Sequence, residues 1–224
     1  MKRISCIIFD IDGTLTQTNE LIYATFNHVA EKYLQKVFTP KEIVAMFGPP
    51  EEVAIERLVG REQYGEAIDD FYNYYETHHP RMADVYSGIR ELLEFLKSKG
   101  IILAVFTGKG KRTTLITLHK LGITSYFDLI VTGSDVENHK PSADGIRKVL
   151  KTFRLQPDEV LMVGDSVSDV KAAHEAGVPI AAVLWDSYGK EHVLEMDIDY
   201  RFHDVQEFSS WLRTVIPSNG ERVH

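Results

Sequence analysis

The sequence predicts an α/β fold: a parallel sheet flanked by helices, with a purely helical segment inserted after the first strand. Two observations carry this. From Ile101 to Val183, short apolar runs alternate with helix-like patterns, the signature of strand–helix–strand units and a parallel sheet. Between Thr16 and Pro80 that alternation stops, and only helical patterns remain.

The elements follow in order. Ile7-Ile8-Phe9 is a short apolar run and reads as a buried strand. It ends in Asp10-Ile11-Asp12-Gly13-Thr14. Glu20 to Tyr33, Pro40 to Phe47, Glu51 to Leu58 and Glu62 to His78 read as helices, with Gly48-Pro49-Pro50 breaking the middle. The chain returns to the sheet region near Ser87-Gly88 through a helix over Ile89 to Lys99. Ile101 to Phe106 then reads as a strand leading to a helix over Lys111 to Leu121, and Leu129 to Val131 leads to one over Ala143 to Phe153. Val160 to Val163 leads to a helix over Asp169 to Ala176. Gly122 and Gly177 stand where helices stop. Ile180 to Val183 is the last clear strand, Tyr200 to Phe202 a short edge strand, Asp204 to Val215 a final helix, and Pro217 onward a loose tail. The expected organisation is a Rossmann-like core over residues 1–16 and 84–224 with a helical domain over 17–83. The crossings near Gln17 and over Arg81 to Tyr86 are the expected hinges.

Composition narrows the function. The 224 residues suggest one large or two small domains, and 44% hydrophobic residues suffice for a core. The net charge of -8 argues against a nucleic-acid binder. No stretch approaches the ~20 apolar residues of a membrane span, and the basic start Met1-Lys2-Arg3 precedes too short an apolar run for a secretory signal. The single Cys6 lies inside the first strand, which excludes an intrachain disulfide and fits a reducing compartment. The expectation is a cytoplasmic protein with no membrane or nucleic-acid partner; the sequence leaves its oligomeric state open.

The polar signals at the strand ends carry the chemistry. Carboxylates past the end of a sheet strand lie where α/β folds bind ligands. Asp10 and Asp12 alternate in direction along an extended chain and can serve different roles. Thr107-Gly108 follows the second core strand, His139-Lys140-Pro141 the third after a short loop, and Gly164-Asp165-Ser166-Val167-Ser168-Asp169 the fourth. Asp12-Gly13 alone would be a turn and Asp165-Ser166 alone a helix cap. Acid pair, hydroxyl, lysine and acid pair in that order, spanning Asp10 to Asp169, resemble the haloacid dehalogenase superfamily of phosphohydrolases.

That resemblance implies a magnesium-dependent phosphatase acting on a small phosphorylated metabolite. Asp10 would be the nucleophile and Asp12 the general acid/base, the latter holding a proton because of neighbouring negative charge. Asp10, Asp165 and the backbone carbonyl of Asp12 would be Mg2+ ligands, with Asp169 close behind. A helix starting at Asp165 would put Asp165 and Asp169 on one face. Thr107, Gly108 and Lys140 would hold the phosphate. Relatives often carry asparagine at the position of Gly108 and a second proline where Ser142 stands, departures expected to spare the roles of Gly108's backbone and Lys140. The helical insert would be a cap selecting the leaving group, with Gly48 and Arg57 as candidate specificity residues.

The branch resembled is that of phosphoglycolate phosphatases, with Thr18-Asn19-Glu20-Leu21-Ile22 also similar to bacterial pyrophosphatase members. An inorganic pyrophosphatase, a β-phosphoglucomutase-like sugar phosphomutase, and a non-catalytic binding or regulatory protein are the alternatives. Several other features read as structural. Lys109, Lys111 and Arg112 suggest a solvated helix start, His78-His79 a polar helix end, the Tyr72, Tyr74, Tyr75 group packing within the insert, and Trp185-Asp186 a loop near the site.

Overall fold

The computed structural model describes residues 3–216. The tail expected from Pro217 lies outside them. Strand β1 (Cys6–Phe9) is buried at every position and runs parallel to a neighbour on each side. A strand covered on both faces reads as a continuous apolar run, which is why no alternation marks it. Thr16–Gln17 (β2) follows, then four helices: Asn19–Leu34 (α1), Pro40–Val44 (α2), Glu51–Val59 (α3) and Arg61–Met82 (α4). Asp84–Val85 (β3) closes the insert by pairing antiparallel with β2. The chain then alternates through Ile89–Ser98 (α5), Ile102–Phe106 (β4), Lys111–Lys120 (α6), Leu129–Val131 (β5) and Asp144–Phe153 (α7). It ends with Val160–Gly164 (β6), Val167–Ala176 (α8), Ile180–Val183 (β7), Lys190–Leu194 (α9), Tyr200–Phe202 (β8) and Val205–Val215 (α10).

The main sheet has the order β5-β4-β1-β6-β7-β8, with every pair parallel. From β1 the chain builds outward through β4 and β5, then crosses back to build the other half from β6. That reversal flanks β1, so the carboxyl ends of β4, β1 and β6 frame a crevice where such sheets bind ligands. Alternation within β1 fills both faces: Ile7 and Phe9 pack with Leu92, Leu96, Phe208 and Leu212, while Cys6 and Ile8 pack with Ile146, Val149, Val170 and Ala173. Cys6 is a buried core residue, as expected, and burial pushes its thiol up to about 12.

The insert has an apolar centre of its own. Leu21, Phe26 and Val29 of α1 meet Ile55 of α3 and Ile68, Phe71 and Tyr75 of α4. Phe26 and Phe71 meet edge to face at 5.2 Å between ring centres. Both chain crossings sit side by side in the β2–β3 ribbon, Thr16 opposite Val85 and Gln17 opposite Asp84. Strands this short leave no periodicity to read, and the sequence shows none. Helix α4 runs past the expected end at His78, with Pro80 inside its last turn. No helix among the described residues is long and apolar enough to cross a membrane.

Candidate active site

Asp10 stands one residue beyond β1, and its N–H still donates to the Val163 carbonyl of β6 at 2.9 Å. Its carboxylate is therefore fixed at the mouth of the crevice. Lys140, buried in the loop before α7, donates from Nζ to Asp10 Oδ1 at 2.9 Å and also to Asp169 Oδ1. One ammonium thus bridges two buried carboxylates. Burial raises Asp10, Lys140 opposes that, and the charges of Asp169 and Asp12 add to it, leaving Asp10 at about 6.

Helix α8 begins at Val167 and not at Asp165. Ser166 is its N-cap, accepting from Asp169 N while Asp169 Oδ2 accepts from Ser166 N at 3.0 Å and from its hydroxyl at 2.6 Å. This reciprocal cap satisfies two free N–H groups and moves Asp165 into the turn before the helix. The expected shared helical face is therefore absent. The acids still converge: one carboxylate oxygen each from Asp10, Asp165 and Asp169 lie within 4.8 Å of one another.

Asp165 is the least satisfied member. Its Oδ1 accepts from the Thr14 hydroxyl at 3.2 Å, while its Oδ2 is buried without a hydrogen-bond partner. A Cβ at position 13 would stand 2.7 Å from that oxygen, so Gly13 leaves the space beside it open. Burial, reinforced by the charges of Asp169 and Asp10, pushes Asp165 well above the usual carboxylate range. A buried anionic oxygen without a partner is costly. Clustered carboxylate oxygens suit a hard divalent cation such as Mg2+. The residues fit that ion: Asp10 and Asp165 offer oxygens directly, while both oxygens of Asp169 are engaged by Lys140 and Ser166.

Asp12 faces elsewhere, as alternation suggests. It accepts from the Thr18 hydroxyl at 2.5 Å, and both its oxygens lie 3.2 Å from Lys109 Nζ. The sequence reading expects a negative neighbour; the closest charged group is this cation. Lys109 is not solvated. It is 7% exposed, and its Nζ lies 3.8 Å from Glu51 and 4.7 Å from the centre of the Tyr75 ring. Burial alone would lower its pKa, but Asp12, Tyr75 and Glu51 outweigh that and hold it charged. Lys111 and Arg112 are exposed, as expected.

These groups line a pocket of about 100 Å³. Thr107, Gly108 and Lys140 form its floor with Asp10, and Thr107 Oγ1 accepts from Lys109 N at 3.2 Å. Ile22, Phe26, Phe47, Gly48 and Ala54 of the insert form its roof. Arg57 is exposed on α3 and does not line it; the basic residue near the roof is Lys109. His79 is fully buried against Thr117 at 3.3 Å and is no solvent-facing helix end. Among the described residues, the Asp10, Asp165, Asp169 trio is the grouping with metal-ligand spacing. Tyr72 and Tyr75 are buried within the insert, and Tyr75 also reaches Thr117 of α6 at 2.7 Å. Asp186 accepts from Asn19 at 3.3 Å and from the Tyr86 hydroxyl, tying the loop after β7 to the start of α1 and to the segment after β3.

The family profile described as haloacid dehalogenase-like hydrolase matches residues 7–183, which span the insert and the sheet from β1 to β7. The chain belongs to that family. Pyrophosphatase PpaX of Anoxybacillus flavithermus is 32% identical over 210 residues, covering 94% of this chain and 97% of its own. PpaX of Halalkalibacterium halodurans is 33% identical over 198 residues, covering 88% and 92%. A candidate β-phosphoglucomutase from Thermotoga maritima superposes with a TM-score of 0.76 at 29% identity, over 95% of this chain and 100% of that one. A protein from Haemophilus somnus described as a phosphoglycolate phosphatase reaches a TM-score of 0.81 at 23% identity, over 96% and 99%, a likeness of fold. The family and its fold thus agree with the strand-end motifs, and the protein is a haloacid dehalogenase-like phosphatase.

Proposed function

We propose that this phosphatase is a magnesium-dependent phosphohydrolase that works through a phosphoryl group carried on Asp10. The observation behind this is the Lys140 ammonium shared by Asp10 and Asp169, next to the partnerless oxygen of Asp165. Substrate phosphate sits over Asp10, held by Thr107, the Gly108 backbone and Lys140. An Asp10 oxygen attacks phosphorus, and the bond to the leaving oxygen breaks as that oxygen takes a proton from Asp12. Asp12, now a carboxylate, removes a proton from water, which attacks phosphorus and breaks its bond to Asp10. Inorganic phosphate leaves, and both aspartates return to their starting states. Asp10, Asp165 and the Asp12 carbonyl would hold Mg2+, with Asp169 behind them; the ion would supply positive charge for the phosphoryl oxygens.

The substrate is a small phosphate compound. Pyrophosphate is the first candidate, because relatives above 30% identity over nearly the whole chain are named pyrophosphatases and the pocket is small. Phosphoglycolate is the second. Residues 17–83 act as a cap that closes over the pocket and excludes water, and the enzyme works in the cytoplasm. The likeness to the Thermotoga maritima protein supports a phosphomutase as the second reading. Phosphate release and hexose-phosphate isomerisation are measured side by side, with and without Mg2+. Isomer formation without net phosphate release supports the mutase; turnover at full rate in chelator removes the metal from the proposal.

A further inference from the structure

The contacts of Lys109 reach beyond the pocket floor. It leaves the core between β4 and α6, yet the groups around its ammonium come from two bodies. Asp12 belongs to the loop after β1, while Glu51 and Tyr75 belong to α3 and α4 of the insert. Glu51 does more than face it. Its Oε2 accepts from Gly110 N at 2.5 Å and its Oε1 from the Thr113 hydroxyl at 2.7 Å. Gly110 is the N-cap residue of α6 and offers no side-chain cap of its own. An insert carboxylate therefore caps a core helix, one residue from Lys109. A carboxylate at a helix N-terminus is favoured by the free N–H groups and the helix dipole.

We propose that Lys109 is a positioning residue that couples the insert to Asp12. With the insert seated, Glu51 caps α6 and, with Tyr75, aims the Lys109 ammonium at both oxygens of Asp12. Withdrawal of the insert would remove Glu51 from α6 and Tyr75 from Lys109, leaving the lysine free to follow either partner. Asp12 would then lose the ammonium that bridges both its oxygens and keep only its contact with the Thr18 hydroxyl. The acid is thus in place when the pocket is roofed and loosened when it is open to water.

This inference rests on the proposed role of Asp12 as general acid, so its test separates the two. Phenyl phosphate and p-nitrophenyl phosphate have nearly the same shape, but the phenol oxygen needs a proton to depart far more than nitrophenolate does. The value of kcat/KM reports the steps through leaving-group departure. Asp12→Asn is expected to lower it for phenyl phosphate by roughly 10²-fold or more and much less for the nitro compound. Lys109→Met and Glu51→Ala are expected to show the same selectivity at about tenfold, with Lys109→Arg recovering part of the loss. If Asp12→Asn is not selective, the acid role falls and the inference with it. If Asp12→Asn is selective while Lys109→Met and Glu51→Ala affect both substrates equally, or neither, the coupling is wrong and the acid role stands.

A buried lysine can be needed for folding, so Gly110→Ala supplies a second variant. Its Cβ would stand 2.4 Å from a Glu51 oxygen and 2.6 Å from one of Glu52. It pushes the Glu51 and Glu52 carboxylates away from the start of α6 and leaves the Lys109 side chain unchanged. The same selective loss is expected; equal loss on both substrates overturns the proposal.

Discussion

The floor and the roof of the pocket are built on different principles. The floor, from the sheet, concentrates ionisable groups: Asp10, Asp12, Lys140 and Asp165 all line it. Its positions are fixed by strand pairing and by the reciprocal cap at α8. The roof, from the insert, offers mostly carbon: Ile22, Phe26, Met46, Phe47 and Ala54, with Asn19 and Glu51 as its polar members. On the proposed reading the floor acts on the phosphate group and the roof meets whatever that phosphate is attached to, where an apolar surface would discriminate by shape and by excluding water. Chemistry and selectivity are therefore separable by mutation.

The sharpest separation is expected at the floor. Asp10→Asn should reduce phosphate release by about a thousandfold or more on every substrate, because the amide cannot carry the phosphoryl group. Circular dichroism should show the fold retained. Release near the wild-type rate would end the assignment. Next comes Asp165→Ala, which removes the carboxylate whose Oδ2 lacks a protein partner. Magnesium titrated into a chelator-treated sample should restore the wild type, and the variant should need at least about tenfold more. An unchanged half-saturation would place the metal elsewhere.

The roof should behave in the opposite way. A bulky side chain at Gly48 is a poor probe, since its φ of 126° strains any L residue even though the space around it is open. Phe47→Ala is cleaner. It removes a ring that lines the pocket and meets Tyr188 edge to face at 5.7 Å. The expected outcome is a loss of roughly tenfold in kcat/KM for the best natural substrate and little for p-nitrophenyl phosphate. Equal losses would show that the roof is structural and that selectivity belongs to the floor.

The same division governs what could be read from sequence. Asp10, Thr107 and Asp165 each directly follow a strand, and the strand ends they mark are local patterns, while Lys140 lies in the loop between β5 and α7. The parallel order of the sheet follows from alternation with helices. Lys109 cannot be told in the sequence from its solvated neighbours Lys111 and Arg112, because its burial depends on α3 and α4, 27 to 58 residues earlier in the chain. Arg57 is the converse case: its basic charge points to substrate contact, but on α3 it is exposed and outside the pocket lining. Helix α8 starts at Val167, two residues before the Asp169 at which its pattern becomes readable, because Ser166 and Asp169 cap each other.

The smallest expected effect probes the seam between the two bodies through pH. His79 of α4 packs on α6 with Nε2 3.3 Å from the Thr117 hydroxyl and with Nδ1 buried without a partner. Charging the ring would place a second N–H where no acceptor stands. Burial first, then the positive charges of Lys109 and Lys120, lower its pKa from 6.5 to about 4, with Asp12 opposing. The unfolded chain binds a proton as pH falls through 6.5, while the folded chain does so only near 4. The unfolded state therefore holds more protons in that window, and stability falls as pH falls, by up to about 1.4 kcal/mol per unit for this group. His79→Gln, which cannot take up the proton, should flatten that part of the slope. Urea unfolding at several values between pH 7.5 and 4.5 would measure it. The variant should differ most from wild type at neutral pH, with the gap narrowing, or changing sign, on acidification. Parallel stability curves would mean that His79 takes up its proton in the folded seam as readily as in the unfolded chain, and that the contact between α4 and α6 does not depend on keeping it neutral.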